Sequence, residues 1–144
     1  MPIETERLVV GTRHCLELRV DDRLIVPALS RVFTGFGDMP PVFATAFMVG
    51  FIEWACIELL RTALPPDFQT VGTHIDVSHM APTTPGMMVR AEVELISIEG
   101  RNLGFRVRCR DEAGLIGEGV HQRAIVASAK FLKRVLAKGD KGHV

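Results

Sequence analysis

One stretch, Val42 to Arg61, constrains this chain more than any other. It reads Val-Phe-Ala-Thr-Ala-Phe-Met-Val-Gly-Phe-Ile-Glu-Trp-Ala-Cys-Ile-Glu-Leu-Leu-Arg. Pro40 and Pro41 precede it and Leu64-Pro65-Pro66 follows it. Proline suits the start of a helix and forbids its continuation, so the boundaries predict one helix between them. Apolar residues fall all round its circumference, and such a helix must be covered on most sides. Glu53 and Glu58 interrupt the run before the ~18 apolar residues a membrane span requires. The stretch therefore predicts a central core helix wrapped by the rest of the chain.

Glu53 is the residue that packing alone does not explain. It stands between Ile52 and Trp54, with Thr45 the only polar neighbour in the apolar part of the helix. An unpaired buried carboxylate costs several kcal/mol or shifts its pKa upward. One reading puts Glu53 on a narrow wet strip or in a plain hydrogen bond. The other makes it a perturbed carboxylate of the kind catalysis uses.

A length of 144 residues predicts one domain over 1–144 with a core of its own, and 1–10 and 139–144 as loose termini. Net charge is zero, which gives no general attraction to nucleic acid or to an anionic membrane. Cys15, Cys56 and Cys109 are odd in number, far apart and set in apolar patterns. They are expected to be reduced core residues rather than disulfides or zinc ligands. The N-terminal Met-Pro-Ile-Glu-Thr-Glu-Arg lacks the basic and apolar regions of a secretory leader, so a cytoplasmic protein is expected. No Gly-rich phosphate loop, Gly-x-Ser-x-Gly elbow or metal-ligand spacing occurs, and no metal is expected.

Around the helix the pattern is one of strands. From His14, residues Leu16, Leu18 and Val20 alternate with Cys15, Glu17 and Arg19, the mark of a half-buried strand. A short helix is expected over Pro27–Val32. The turn-rich Thr34–Pro41 then carries Phe36 and Met39, either as a seal for the core or as a lid. After the helix, Gln69 to His79 alternates. Parity puts Val71, Thr73, Ile75, Val77 and His79 on the core side, and Gly72 and His74 on the other. Strands follow over Met87–Leu95, Leu103–Cys109 and about Leu115–Val126, with Gly117 and Gly119 as bend or close-approach points. Arg106, Arg108 and Arg110 share one face of their strand. That row reads as a solvated face or, alternatively, as a holder of substrate phosphates. The basic tail from Lys130 is expected to fray after a helical turn or two.

The order is strand, apolar helix, then four strands read as an antiparallel meander. One helix laid across one curved sheet of about five strands is an α+β hotdog arrangement. A free sheet edge and an under-covered helix predict a homodimer or higher homo-oligomer.

Three segments carry a family resemblance. Residues 42–56, residues 71–86 (Val-Gly-Thr-His-Ile-Asp-Val-Ser-His-Met-Ala-Pro-Thr-Thr-Pro-Gly) and residues 119–124 (Gly-Val-His-Gln-Arg-Ala) resemble the fluoroacetyl-CoA thioesterase family of hotdog enzymes. The likeness runs from about Pro41 to Phe131. It implies hydrolysis of an acyl-CoA, short-chain and with fluoroacetyl-CoA a candidate, with coenzyme A as part of the substrate and no separate cofactor. It implies Thr45, Glu53 and His79 as the catalytic residues, and Gly72 and Arg123 as substrate-facing. The lid phenylalanines of the family align with Phe36 and Met39, so the second aromatic is replaced here. Glu53 would attack the thioester or activate water, His79 would move protons, and Thr45 would orient one of them. Amides at the helix start would receive the oxyanion. Thr45 and Glu53 lie ~12 Å apart along a regular helix, so either Thr45 sits in an irregular first turn or the site joins two subunits. Enoyl-CoA hydration or dehydration on the same fold, and a non-catalytic acyl-CoA-binding module, are the competing readings.

Overall fold

A computed structural model describes residues 7–141. Strand β1 spans Arg13–Arg19 and is followed by two short 3-10 turns, Val26–Arg31 and Thr34–Phe36. Helix α1 spans Thr45–Arg61. Strands β2 (Phe68–Val77), β3 (Met88–Glu99), β4 (Asn102–Asp111) and β5 (Gly114–Ala127) follow, and helix α2 (Ser128–Lys141) ends the described chain.

Helix α1 begins three residues later than the proline boundary predicts, because residues 42–44 are taken by extended pairing. Phe43 forms a β-bridge with Ile25, and Val26 N–H donates to the Val42 carbonyl at 2.9 Å. Phe43 and Ala44 N–H donate to the carbonyls of Thr83 and Leu24 at 2.8 and 2.9 Å. These bonds fix where the helix starts. At the other end, Ala63 and Leu64 N–H close onto the Leu60 carbonyl, and Pro65-Pro66 stops the chain.

The sheet is antiparallel throughout, in the order β1-β3-β4-β5-β2. The expected four-strand meander is thus reduced to β3-β4-β5. Two-residue turns, 100–101 and 112–113, join those three strands, whereas residues 78–87 separate β2 from β3. That longer link carries β2 to the opposite edge, beside β5. Gly117 and Gly119 are close-approach points as expected: a Cβ at either would fall on the carbonyl oxygens of Ser78 or Asp76.

One face of the sheet carries Val89, Ala91, Val93, Leu95, Leu103, Phe105, Val107, Cys109, Ile116 and Ile125, all buried. Against it α1 lays Met48, Phe51, Ile52, Ala55, Cys56, Leu59 and Leu60. Burying each large apolar side chain stabilises the fold by roughly 1.5–3 kcal/mol. Ile52→Ala, at a fully buried position, would remove about 2–5 kcal/mol. The cover is one-sided. Thr45, Ala46, Gly50 and Trp54 remain exposed on the other side of α1.

Three expectations need correction. Cys56 and Cys109 are buried, and burial pushes both thiols up to about 12. Cys15, however, is exposed on the outer face, where it accepts a hydrogen bond from Arg90 Nη2 at 3.2 Å. Leu8, placed in a loose lead-in, is part of the core. The tail holds a 14-residue helix instead of fraying within two turns, with Leu132, Val135 and Leu136 exposed along it. None of the described helices is long and apolar enough to cross a membrane.

Candidate active site

The candidate residues fall into two clusters held by different elements. The first lies at the start of α1. Thr45 is the first residue of the helix, and its Oγ1 shares a 2.8 Å hydrogen bond with His79 Nδ1. His79 follows β2, and the chain there still runs along β5: Ser78 and Met80 N–H donate to the carbonyls of Glu118 and Ile116. His79 Nε2 is buried and has no hydrogen-bond partner among the described residues. Burial lowers the His79 pKa from its ordinary 6.5, so the neutral imidazole is favoured. The Phe43 ring meets it edge-on, with centroids 6.3 Å apart.

The second cluster lies two turns further along α1. Glu53 is half-buried, and its Oε1 accepts a hydrogen bond from Arg123 Nη1 at 3.0 Å. Of the two environments the sequence leaves open for Glu53, this is the hydrogen-bonded one with access to solvent. Arg123 itself is buried and almost fully engaged. Its Nε donates to Thr70 Oγ1 at 2.8 Å, and its Nη2 to the Thr70 carbonyl at 2.9 Å. Its Nη1 also donates to His121 Nε2 at 3.1 Å.

Gly72 completes this cluster, and here the parity reading fails in part. The β2–β5 register shifts between Gly72 and His74. Before that bulge Gly72 pairs with Arg123, whose side chain points inward; beyond it Ile75 pairs with His121, also inward. Gly72 therefore faces the core side, opposite to the expected assignment, while Val71 turns outward. Ile75, Val77 and His79 keep their expected side because they lie beyond the bulge. His74 pairs with the exposed Gln122 and faces out, as parity predicts. A Cβ at residue 72 would lie 2.5 Å from Glu53 Oε1 and 3.5 Å from Arg123 Nη1. The absence of a side chain is what gives the carboxylate its place. A cleft of about 360 Å³ opens here, lined by Val49, Glu53, Gly72, Ile75 and His121 among others.

Phe36 and Met39 belong to neither cluster. Both are exposed, and the Phe36 ring packs edge-on against Phe33 at 6.3 Å. Sequence reasoning passed over His121 and Thr70, which hold Arg123. Alternation along β5 was the available signal: His121 and Arg123 share the inward face with Ile125.

Comparisons with known proteins bear on the family and the fold. Residues 28–129 match the family described as fluoroacetyl-CoA-specific thioesterase. The chain is 44% identical, over 92% of its length and 96% of the relative's, to the fluoroacetyl-CoA thioesterase of Streptantibioticus cattleyicolor. A solved fluoroacetyl-CoA thioesterase structure superposes with a TM-score of 0.88 at 40% identity, covering 91% of this chain and 97% of that one. A thioesterase superfamily member from Thermus thermophilus superposes with a TM-score of 0.82 at 28% identity, covering 94% and 98%. With its hotdog sheet and long helix, this chain belongs to the fluoroacetyl-CoA-specific thioesterase family.

Proposed function

We propose that the protein hydrolyses a short-chain acyl-CoA to the free acid and coenzyme A, with Glu53 as the group that attacks the thioester carbonyl or deprotonates water. The observation that carries this reading is the environment of Glu53: a carboxylate at the wall of an open cleft, oriented by a buried arginine, with a glycine clearing its approach. A carboxylate held in this way loses little freedom when it reacts. His79 moves protons to and from the leaving thiolate and water, with Thr45 orienting its ring. The first amides of α1 have no side-chain cap, so they suit a developing oxyanion.

Thr45 heads a regular helix and Glu53 stands eight residues on, ~12 Å away along the axis. Each forms its own cluster, which favours a site completed across two copies of the chain. The exposed side of α1, with Ala46, Gly50 and Trp54, supplies a face for that association. A homodimer is therefore part of the proposal, and a monomer mass by light scattering at micromolar concentration would rule it out.

Phe36 and Met39 form the cover in this reading. Methionine adapts to irregular gaps but specifies shape poorly. Preference for fluoroacetyl-CoA over acetyl-CoA is then present but modest. The deciding experiment measures thiol release from acetyl-, fluoroacetyl- and longer acyl-CoAs with a thiol-reactive dye. Release of thiol from short chains is expected. Enoyl-CoA hydration without thiol release, or binding without turnover, would replace this reading.

A further inference from the structure

The cluster around Glu53 contains a third titratable side chain to which the proposed mechanism gives no part. His121 is 2% exposed, with its ring stacked on Phe105 at a centroid distance of 6.4 Å. Its Nδ1 donates to the His74 carbonyl at 2.7 Å, since a carbonyl oxygen only accepts. Its Nε2 must then carry the lone pair, because a guanidinium nitrogen only donates and Arg123 Nη1 lies 3.1 Å away. Both neighbours demand the same state, the neutral Nδ1–H tautomer. The same Arg123 nitrogen has two hydrogens; one goes to His121 and the other to Glu53 at 3.0 Å. The His74 carbonyl that anchors the ring lies at the end of the β2 bulge, which also turns Gly72 toward Glu53.

We infer that His121, locked as its neutral Nδ1–H tautomer between the β2 bulge and Arg123, is a positioning residue that aims the Arg123 guanidinium at Glu53. The inference rests on the reading of Glu53 as the reacting carboxylate. Arg123 accordingly acts as a clamp on Glu53, since Thr70, His121 and Glu53 already occupy its Nε and Nη groups. Protonation of His121 would set an Nε2–H against Arg123 Nη1–H and break the clamp. The charged and titratable groups acting on the ring are Arg123 from β5, Glu53 from α1 and His74 from β2; β4 contributes the uncharged Phe105. Burial is the largest influence on its pKa and lowers it, which keeps the ring neutral.

The test combines two variants with one spectroscopic measurement on the full-length protein. His121→Phe keeps the ring on Phe105 but can neither donate to His74 nor accept from Arg123. A misplacement of the reacting group by ~1 Å can lower rate by up to about 10²-fold, so kcat per folded protein is expected to fall roughly 10- to 100-fold, with KM changing by less than about threefold. His121→Gln keeps one donor and one acceptor, and is expected to restore kcat to within about fivefold of the parent. The ¹⁵N shifts of His121 at neutral pH are expected to report Nδ1–H. Parent-like turnover in His121→Phe, failure of His121→Gln to exceed it, or an Nε2–H tautomer would each overturn the inference. If the parent protein releases no thiol from any short acyl-CoA, the proposed reaction fails separately, and the tautomer measurement still decides whether the clamp exists.

Discussion

Arg110 and Arg123 stand on opposite faces of one sheet, and each reaches a carboxylate. Arg110 Nε lies 2.7 Å from Glu92, and Arg123 Nη1 lies 3.0 Å from Glu53. By distance the outer pair is the better one, yet its arginine side chain is 41% exposed against 4% for Arg123. An exposed pair competes with water and is worth about 0–1 kcal/mol. Arg123 has left water, and its donors are met by Thr70, His121 and Glu53 instead. Distance therefore does not separate a surface pair from a built site; burial and completeness of hydrogen bonding do. The rest of the arginine row behaves like Arg110. Arg106 lies 3.3 Å from Glu94 and Arg108 lies 3.9 Å from Glu118, which favours the solvated-face reading over a phosphate holder.

The sharpest way to break this contrast is to remove the groups proposed to react. Glu53→Gln and His79→Ala are expected to lower kcat by ~10²-fold or more while circular dichroism shows the fold intact. Turnover close to that of the parent in both would end the assignment. Thr45→Ala is expected to lose less, since water can replace an orienting hydroxyl.

Gly72→Ala probes the clamp by space rather than by charge. Its new methyl would sit 2.5 Å from the present position of Glu53 Oε1, so the carboxylate must move. A fall in kcat of about 10-fold is expected, with little change in melting temperature. A smaller change concerns selectivity: Met39→Phe should raise the kcat/KM ratio of fluoroacetyl-CoA to acetyl-CoA, by up to about 10-fold. A parent protein that already rejects acetyl-CoA by ~10⁵-fold would show that selectivity lies elsewhere.

Acid should weaken the fold through its buried histidines. Burial lowers the folded-state pKa of His79 and His121 below 6.5, so between the folded and unfolded values the unfolded chain binds more protons. The stability they contribute is present above the unfolded value of 6.5 and is lost as pH falls below it. Melting curves should show Tm dropping on acidification below about pH 6.5, and His121→Gln should flatten that drop. A Tm indifferent to pH in this range would contradict the buried environment. The smallest effect is assigned to Arg110→Ala: less than ~1 kcal/mol in stability and no change in turnover.

Much of this protein was legible along the chain because its signals are local. An apolar run between prolines has one economical fate, so α1 was readable to within three residues of its start. Alternation exposed the five strands and, apart from the first half of β2, their buried faces, and Glu53 stood out because its neighbours are apolar. His79 kept its predicted side because it lies beyond the bulge in β2. What tertiary structure alone decided is how distant segments meet. Pairing of residues 42–44 with Ile25, Val26 and Leu24 set the first residue of α1. The partner of β2 proved to be β5, a choice made by long-range burial and hydrogen bonding that no local period encodes. One unpaired residue at the bulge reversed the face of Gly72, because strand orientation flips with every residue inserted. Glu53 is held by Arg123, near the far end of the chain, and Thr70 and His121 hold Arg123 in turn. Their types and inward parity are written in the sequence, but the hydrogen bonds that join them exist only once the sheet has closed over the helix.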